Sequence, residues 1–319
     1  MKHYIGIDIG GMSCKAGVVN EKGEIVFRGS CPTKANAHYS EIIKDIADLT
    51  TEVIKNAGLS LKDIQAVGMG IPGTIDSENG VIVYSNNISF KKVPVIKEFK
   101  KHIKLPVFIG NDANCAALGE VVFGSAKGLK DIVFITLGTG VGSGIILNGK
   151  IFAGKGGSGA EAGHMVIISG GDKCTCGRKG CWEAYASASA LIKLTERMAK
   201  KEPLSRVAQI IKADGKASGE TAFKASKEGD KLGQKIVAKY AKYVSDGIVN
   251  LVNIFRPDAV LVGGGISNQG DYFIDMLAKQ ADKASYGGKI NPRPVIKSAG
   301  LLNDAGILGA VSLCFEETK

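Results

Sequence analysis

Asp8-Ile9-Gly10-Gly11-Met12-Ser13 is the stretch on which the fold turns. An apolar run over residues 4–9 leads into it and another over residues 15–19 leads out, so the two glycines sit at a tight turn between strands. Glycine there lets backbone N–H groups approach a phosphate, and an aspartate at the strand end suits a hydrated Mg²⁺. A third strand over 24–28 follows the turn Asn20-Glu21-Lys22-Gly23 and completes a β-meander. Ile42, Ile43, Ile46, Leu49, Val53 and Ile54 then recur at helical spacing across residues 38–57, closed by Gly58. Short apolar strands at 64–69 and 106–109 make the pattern α/β.

The same grammar restarts near residue 113, with a helix over 113–123 and a strand over 131–137. Leu137-Gly138-Thr139-Gly140-Val141-Gly142-Ser143-Gly144 is a second strand, glycine turn and strand, and two such turns suit the two sides of a polyphosphate. Helical sequence fills 184–253, interrupted at Pro203 and over 215–219. A strand over 259–262 then runs into Gly263-Gly264-Gly265, where missing side chains leave room for a base or ribose. A helix from Asp271, a strand near Val295 and a last helix from about Asn303 follow. Each glycine loop alone also reads as a hairpin that needs positive φ. None matches GxxxxGK[ST] or a strand-to-helix GxGxxG, which disfavours Walker and Rossmann sites.

The 319 residues point to two domains, and 45% hydrophobic with 23% charged residues excludes wholesale disorder. The 43 glycines follow no G-X-Y period, which excludes collagen; their surplus is expected to mark ligand approach. No uncharged apolar stretch is long enough to span a membrane and the first residues lack a signal-peptide core, so a cytoplasmic protein with no membrane partner is expected. Lys+Arg 41 against Asp+Glu 31 gives +10. Six of those lysines, Lys224, Lys227, Lys231, Lys235, Lys239 and Lys242, recur at mostly helical spacing and read as a solvated face.

Seven cysteines in a reducing compartment read as thiols or metal ligands. His164, nine residues, and Cys174-Thr175-Cys176-Gly177-Arg178-Lys179-Gly180-Cys181 supply one imidazole and three thiolates, a closed tetrahedral set of the kind structural zinc takes. The bland alternative is three unrelated thiols. Glu161 and Glu183 bracket the cluster; carboxylates fixed there suit neighbouring sugar hydroxyls, or are plain surface groups. In Gly110-Asn111-Asp112-Ala113-Asn114, Asp112 reads as the N-cap of an alanine-rich helix or as a general base. The two roles compete for the same oxygens.

Together these residues resemble the ROK family (repressors, open reading frames, kinases) of sugar kinases, within the actin/hexokinase ATPase superfamily. The likeness rests on Asp8-Ile9-Gly10-Gly11, Gly70-Ile71-Pro72-Gly73, Asn111-Asp112-Ala113-Asn114 and Ala116-Ala117-Leu118-Gly119-Glu120. It continues through residues 137–142, Glu161-Ala162-Gly163-His164, the cysteine cluster with Glu183, Gly263-Gly264-Gly265 and Asn303-Asp304-Ala305-Gly306. The resemblance implies an α/β, two-domain actin/hexokinase-like (ribonuclease H-like) ATPase fold with an interdomain cleft. Residues 1–112 plus 302–319 would form a small α/β domain and 113–301 a large one with the zinc site.

The implied reaction is ATP-dependent phosphoryl transfer to the 6-hydroxyl of a hexose. Glucose comes first, with N-acetylmannosamine, N-acetylglucosamine or fructose as alternatives. By the same resemblance Asp112 is the catalytic base, and Gly73, Asn87, Asn111, Glu161, His164 and Glu183 hold the sugar. Asp8, Gly10, Gly11, Met12, Ser13, Lys15, Gly138, Thr139, Gly140, Gly263, Gly264 and Gly265 serve ATP and Mg²⁺. Met12 departs from the family, which carries Thr there, so a hydroxyl donor is missing. A homodimer or homotetramer is expected. Repressors of the family carry a helix-turn-helix ahead of the phosphate loop, whose strand here begins at residue 4. A non-enzymatic sugar-responsive regulator is therefore the lesser reading, with no nucleic-acid partner expected.

Overall fold

The computed structural model describes residues 1–85, 88–288 and 290–316; Asn87, expected in the sugar pocket, lies outside the described residues. The chain forms two units, Met1–Asp131 with Gly144–Ala160 and Gly300–Lys319, and Ile132–Ser143 with Glu161–Ala299. No described helix is long and apolar enough to cross a membrane.

In the first unit, β1 (His3–Ile9), β2 (Ser13–Asn20) and β3 (Ile25–Pro32) form the expected meander. The Asn20 side chain shapes its turn by accepting from the backbone N–H groups of Lys22 and Glu24. α1 (Tyr39–Asn56) covers the sheet with the six apolar residues read from the sequence, all buried. It returns the chain to β4 (Ile64–Ile71), parallel to β1, in a register that sets Asp8 beside Gly70. A three-stranded sheet of β5 (Thr74–Asp76), β6 (Val81–Tyr84) and β7 (Lys91–Val93), and the short α2 (Val95–Phe99), were not expected. Strands of three or four residues are too short to show a period of two. β8 (Val107–Asn111) pairs with β4 and closes the order β3-β2-β1-β4-β8, and α3 (Asp112–Val122) leaves its end.

The second five-stranded sheet contains β9 (Ile132–Leu137), β10 (Val141–Leu147) and β11 (Lys150–Ile151). β10 from Gly144 onward and β11 count with the first unit. Helices α4 (Glu183–Ala186), α5 (Ala188–Ala199), α6 (Arg206–Asp214), α7 (Thr221–Lys227) and α8 (Lys231–Phe255) fill the long helical region. The breaks at Pro203 and Gly215 fall where expected. Two more, at Ser187 and Asp230, arise because each side chain caps a new helix by accepting from Ala190 N and Gly233 N. β12 (Ala259–Gly263), α9 (Asp271–Ala284) and β13 (Val295–Ser298) complete the order β11-β10-β9-β12-β13. The six lysines of the α7–α8 stripe are all exposed.

Trp182, fully buried, plugs the core of this unit. Its indole N–H donates to the Tyr243 carbonyl at 2.9 Å. Gly247 of α8 makes the room, since a Cβ there would overlap the indole ring.

α10 (Ala305–Glu316) belongs to the first unit and covers the sheet face that α1 leaves. It lies unusually close: a Cβ on Gly6 or Gly68 would overlap the carbonyl oxygens of Ile307 and Ala310. α3 packs on α10 in the same way, Gly119 meeting Gly309. That contact holds residues 113–131 with the first unit, where the resemblance set a border at 112. It also corrects the reading of the glycine surplus, part of which serves helix-on-sheet packing rather than ligand approach.

Candidate active site

Asp8, next to last in β1, lies directly across from Lys15 on β2. Burial raises its carboxyl above the usual range; Lys15 opposes the rise and the Asp112 carboxylate adds to it. The space for this carboxylate is made by Gly306 in the first turn of α10, where a Cβ would overlap it. In the adjoining turn Gly10 N–H donates to the Ser13 carbonyl at 3.0 Å. Thr33 pins the loop from β3's end, its hydroxyl donating to the Gly10 carbonyl at 2.7 Å and its N–H to that of Met12 at 2.9 Å. The N–H groups of Gly11 and Met12 have no partner among the described residues, and the Met12 side chain is 89% exposed. Sequence reasoning missed Thr33. The hairpin register set by the Asn20 turn, which pairs Ser13 with Pro32, was the signal that places residue 33 opposite residue 12.

The helix cap is Asn111, not Asp112. Asn111 Oδ1 accepts from Ala113 N at 3.0 Å and Asn114 N at 3.2 Å, while its Nδ2 donates to the Gly73 carbonyl at 3.1 Å. An amide has both a donor and an acceptor, so it can tie the helix start to the Gly73 turn, which a carboxylate cannot. Asp112 Oδ1 accepts only from Ala113 N, and Oδ2 has no partner among the described residues. Protein packed around Asp112 desolvates its carboxyl and pushes the pKa up. The Ala113 N–H bonded to Oδ1 opposes the rise, and the residue as a whole is exposed.

In the second unit the glycine loop between β9 and β10 is braced on all sides. Gly138 N–H turns inward to the Gly140 carbonyl, and the start of α5 caps the loop through Ala188 N to the Gly138 carbonyl and Ser189 Oγ to that of Thr139. Thr139 and Gly140 are left with N–H groups that have no described partner. Of the third loop, Gly263 and Gly264 are packing positions, against the Phe134 ring and the Leu137 backbone. Only Gly265 faces open space.

Glu183 joins this loop to the cysteine cluster. Its Oε2 accepts from Val141 N at 3.1 Å and its Oε1 from the Thr175 hydroxyl at 3.0 Å. Gly140 must be glycine for this, because a Cβ would overlap Oε2. Glu161 is exposed at the head of a short turn, Ala162–His164, whose Ala162 N–H donates to the buried Ser143 hydroxyl at 3.0 Å. The ligand atoms of His164, Cys174, Cys176 and Cys181 all lie within 4.8 Å of one another, a set able to hold a metal ion. Cys176 Sγ stands 3.6 Å from Cys181 Sγ, and Cys174 Sγ 3.7 Å from His164 Nδ1.

The ROK family profile matches residues 4–317. The glucokinase of Streptomyces coelicolor is 34% identical over 315 residues, 98% of this chain and 97% of that protein. The xylose repressor of Caldicellulosiruptor bescii is 30% identical over 313 residues, 98% of this chain but 78% of that longer protein. A solved ROK family glucokinase from Streptomyces griseus, in complex with glucose and AMPPNP, superposes with a TM-score of 0.83 at 33% identity, covering 98% of both chains. The fold is therefore the actin/hexokinase-like one of ROK sugar kinases. Because the family match runs from the first strand into the last helix, it takes in both units and every motif above, and the chain belongs to the ROK family.

Proposed function

We propose that the protein is an ATP-dependent kinase that transfers the γ-phosphoryl group to the 6-hydroxyl of glucose. The observation that carries this reading is the division of roles at Asn111 and Asp112: the amide caps α3, and the carboxylate keeps an oxygen for a substrate proton. Similarity to glucokinases along nearly the whole chain supports it. Asp112 takes the hydroxyl proton as the sugar oxygen attacks in line. Gly73, Asn87, Asn111, Glu161, His164 and Glu183 hold the remaining hydroxyls. The N–H groups of Gly11, Met12, Thr139 and Gly140 donate to phosphate oxygens, and Gly265 leaves room for the nucleoside. Asp8 would hold the water shell of the Mg²⁺ that comes with ATP, which would supply positive charge to the phosphates.

Zinc is the metal proposed for the His and three Cys ligands, with a structural role. Tetrahedral bonding at about 2.3 Å per sulfur sets two sulfurs about 3.8 Å apart, close to the spacing found between Cys176 and Cys181. His164 turns Nδ1 toward the sulfurs, so Nε2 is the nitrogen left for a sugar hydroxyl. One imidazole thus serves both metal and sugar. No disulfide joins the seven cysteines among the described residues.

A coupled ADP-release assay over glucose, mannose, fructose, N-acetylglucosamine and N-acetylmannosamine tests the proposal. Glucose is expected to give the highest kcat/KM. A far higher value on an N-acetyl sugar would reassign the substrate, and no turnover with salt-sensitive duplex binding would move the protein to the regulators.

A further inference from the structure

We propose that the first unit carries a second carbohydrate site, separate from the hexose site above, in the cavity along the free edge of β8. The cavity has a volume of about 670 Å³, well inside the range of small-molecule sites. All five residues of β8 line it, as the lateral edge of a strand does; one face would contribute only alternate residues. Val67 N–H donates to the Pro106 carbonyl, which fixes the parallel pattern: Phe108 and Gly110 bond to β4, and Val107 and Ile109 turn their peptide groups the other way. Asn114 of α3 closes one wall. It is 6% exposed, and its Oδ1 has no hydrogen-bond partner among the described residues. A buried amide oxygen without a donor is costly, and a ligand hydroxyl is one way to supply the donor after the carboxamide turns.

The chemistry of the walls selects the ligand class. Glu78 and Lys150 are the charged side chains of the lining, one of each sign, so the complement is neutral overall. Ser77, Asn114 and the two outward peptide groups alternate donors and acceptors, as hydroxyls need. The apolar walls suit the C–H faces of sugar rings. Only two peptide groups face outward, fewer than the addition of a peptide strand would use. Asp112, Glu161, His164 and Glu183 do not line the cavity. Asn111, at the end of β8, borders both sites; its Oδ1 is used by the start of α3 and one Nδ2 hydrogen by the Gly73 carbonyl. The ligand expected is a neutral saccharide of one or two rings.

The test uses the full chain and maltose as probe, titrated calorimetrically with glucose saturating and ATP absent. One saturable maltose site per chain is expected, weakened at least about tenfold in Asn114→Leu and in Ile151→Trp, which fills the cavity from its outer wall. Glu161→Gln should leave maltose binding intact, and Ile151→Trp should leave glucose phosphorylation intact, which also certifies its folding. Three results overturn the proposal: no saturable binding up to about 10 mM, displacement by glucose, or undiminished binding in both cavity variants. Glucose turnover is read separately, so failure of the kinase reading leaves the maltose result interpretable.

Discussion

Asn111 and Asp112 are neighbours of nearly equal shape, and their hydrogen-bonding capacity separates them. The amide has a donor for the Gly73 carbonyl and an acceptor for the helix start; the carboxylate has only acceptors and stays largely unengaged. Asp112→Asn removes the proposed base and should lower kcat by about 10²–10⁴-fold with nucleotide affinity retained. Near-normal turnover would leave Asp112 without a catalytic role. Its raised pKa also sets a sign for pH dependence. The acid limb of kcat/KM should lie above the ordinary aspartate range, and Asp112→Asn should abolish that limb in the residual activity.

Stability runs the other way. A carboxyl whose folded pKa is raised favours the folded state below its unfolded pKa, and that contribution is lost as pH rises through the folded value. At neutral pH the neutral variant should therefore melt slightly above the parent protein, with the difference vanishing in acid. A lower Tm for Asp112→Asn at pH 7 would contradict the burial argument.

At the scale of elements, the cysteine loop is held at two points of different kind. The proposed metal ligands His164, Cys174, Cys176 and Cys181 draw residues 164–181 together, and Trp182 immediately after them is locked into α8 by its own packing and hydrogen bond. Chelation or Cys176→Ser should free the loop and leave the helical core folded. Amide exchange is expected to rise over 164–181 and stay slow in α8, while glucose affinity drops by about tenfold or more. Unchanged glucose affinity in verified metal-free protein would uncouple the cluster from the sugar.

Elements with long apolar periods, such as α1 and the meander, were legible in the sequence to within a few residues. So were the glycine turns and the gathering of His164 with Cys174, Cys176 and Cys181, because these patterns are local in sequence. The β5–β7 sheet was not, since its strands are shorter than the period that would reveal them. The brace from Thr33 to Gly10 and the link from Glu183 to Val141 were also hidden. Both join residues distant in sequence, and only strand register or a folded loop brings them together.

At the scale of the molecule, α10 meets the first sheet backbone to backbone, through Gly6 and Gly68. Gly68→Ala forces a methyl into the Ala310 carbonyl and should destabilise the protein by about 1–3 kcal/mol or more, read as a drop in the denaturant midpoint. A midpoint equal to the parent's would mean that α10 yields without cost. The effect should appear in the unfolding of the first unit, to which Gly68 and α10 both belong.

The same helix sets the timetable of biosynthesis. Tyr4, Val19 and Ala66 emerge from the ribosome early, yet the residues that bury them, Ile307, Leu308 and Val311, are made more than two hundred positions later. Until then the nascent sheet carries a bare apolar face. The order of translation and the order of assembly are thus opposed, so the first strands must wait, exposed to chaperones and to neighbouring nascent chains, for the helix that completes them.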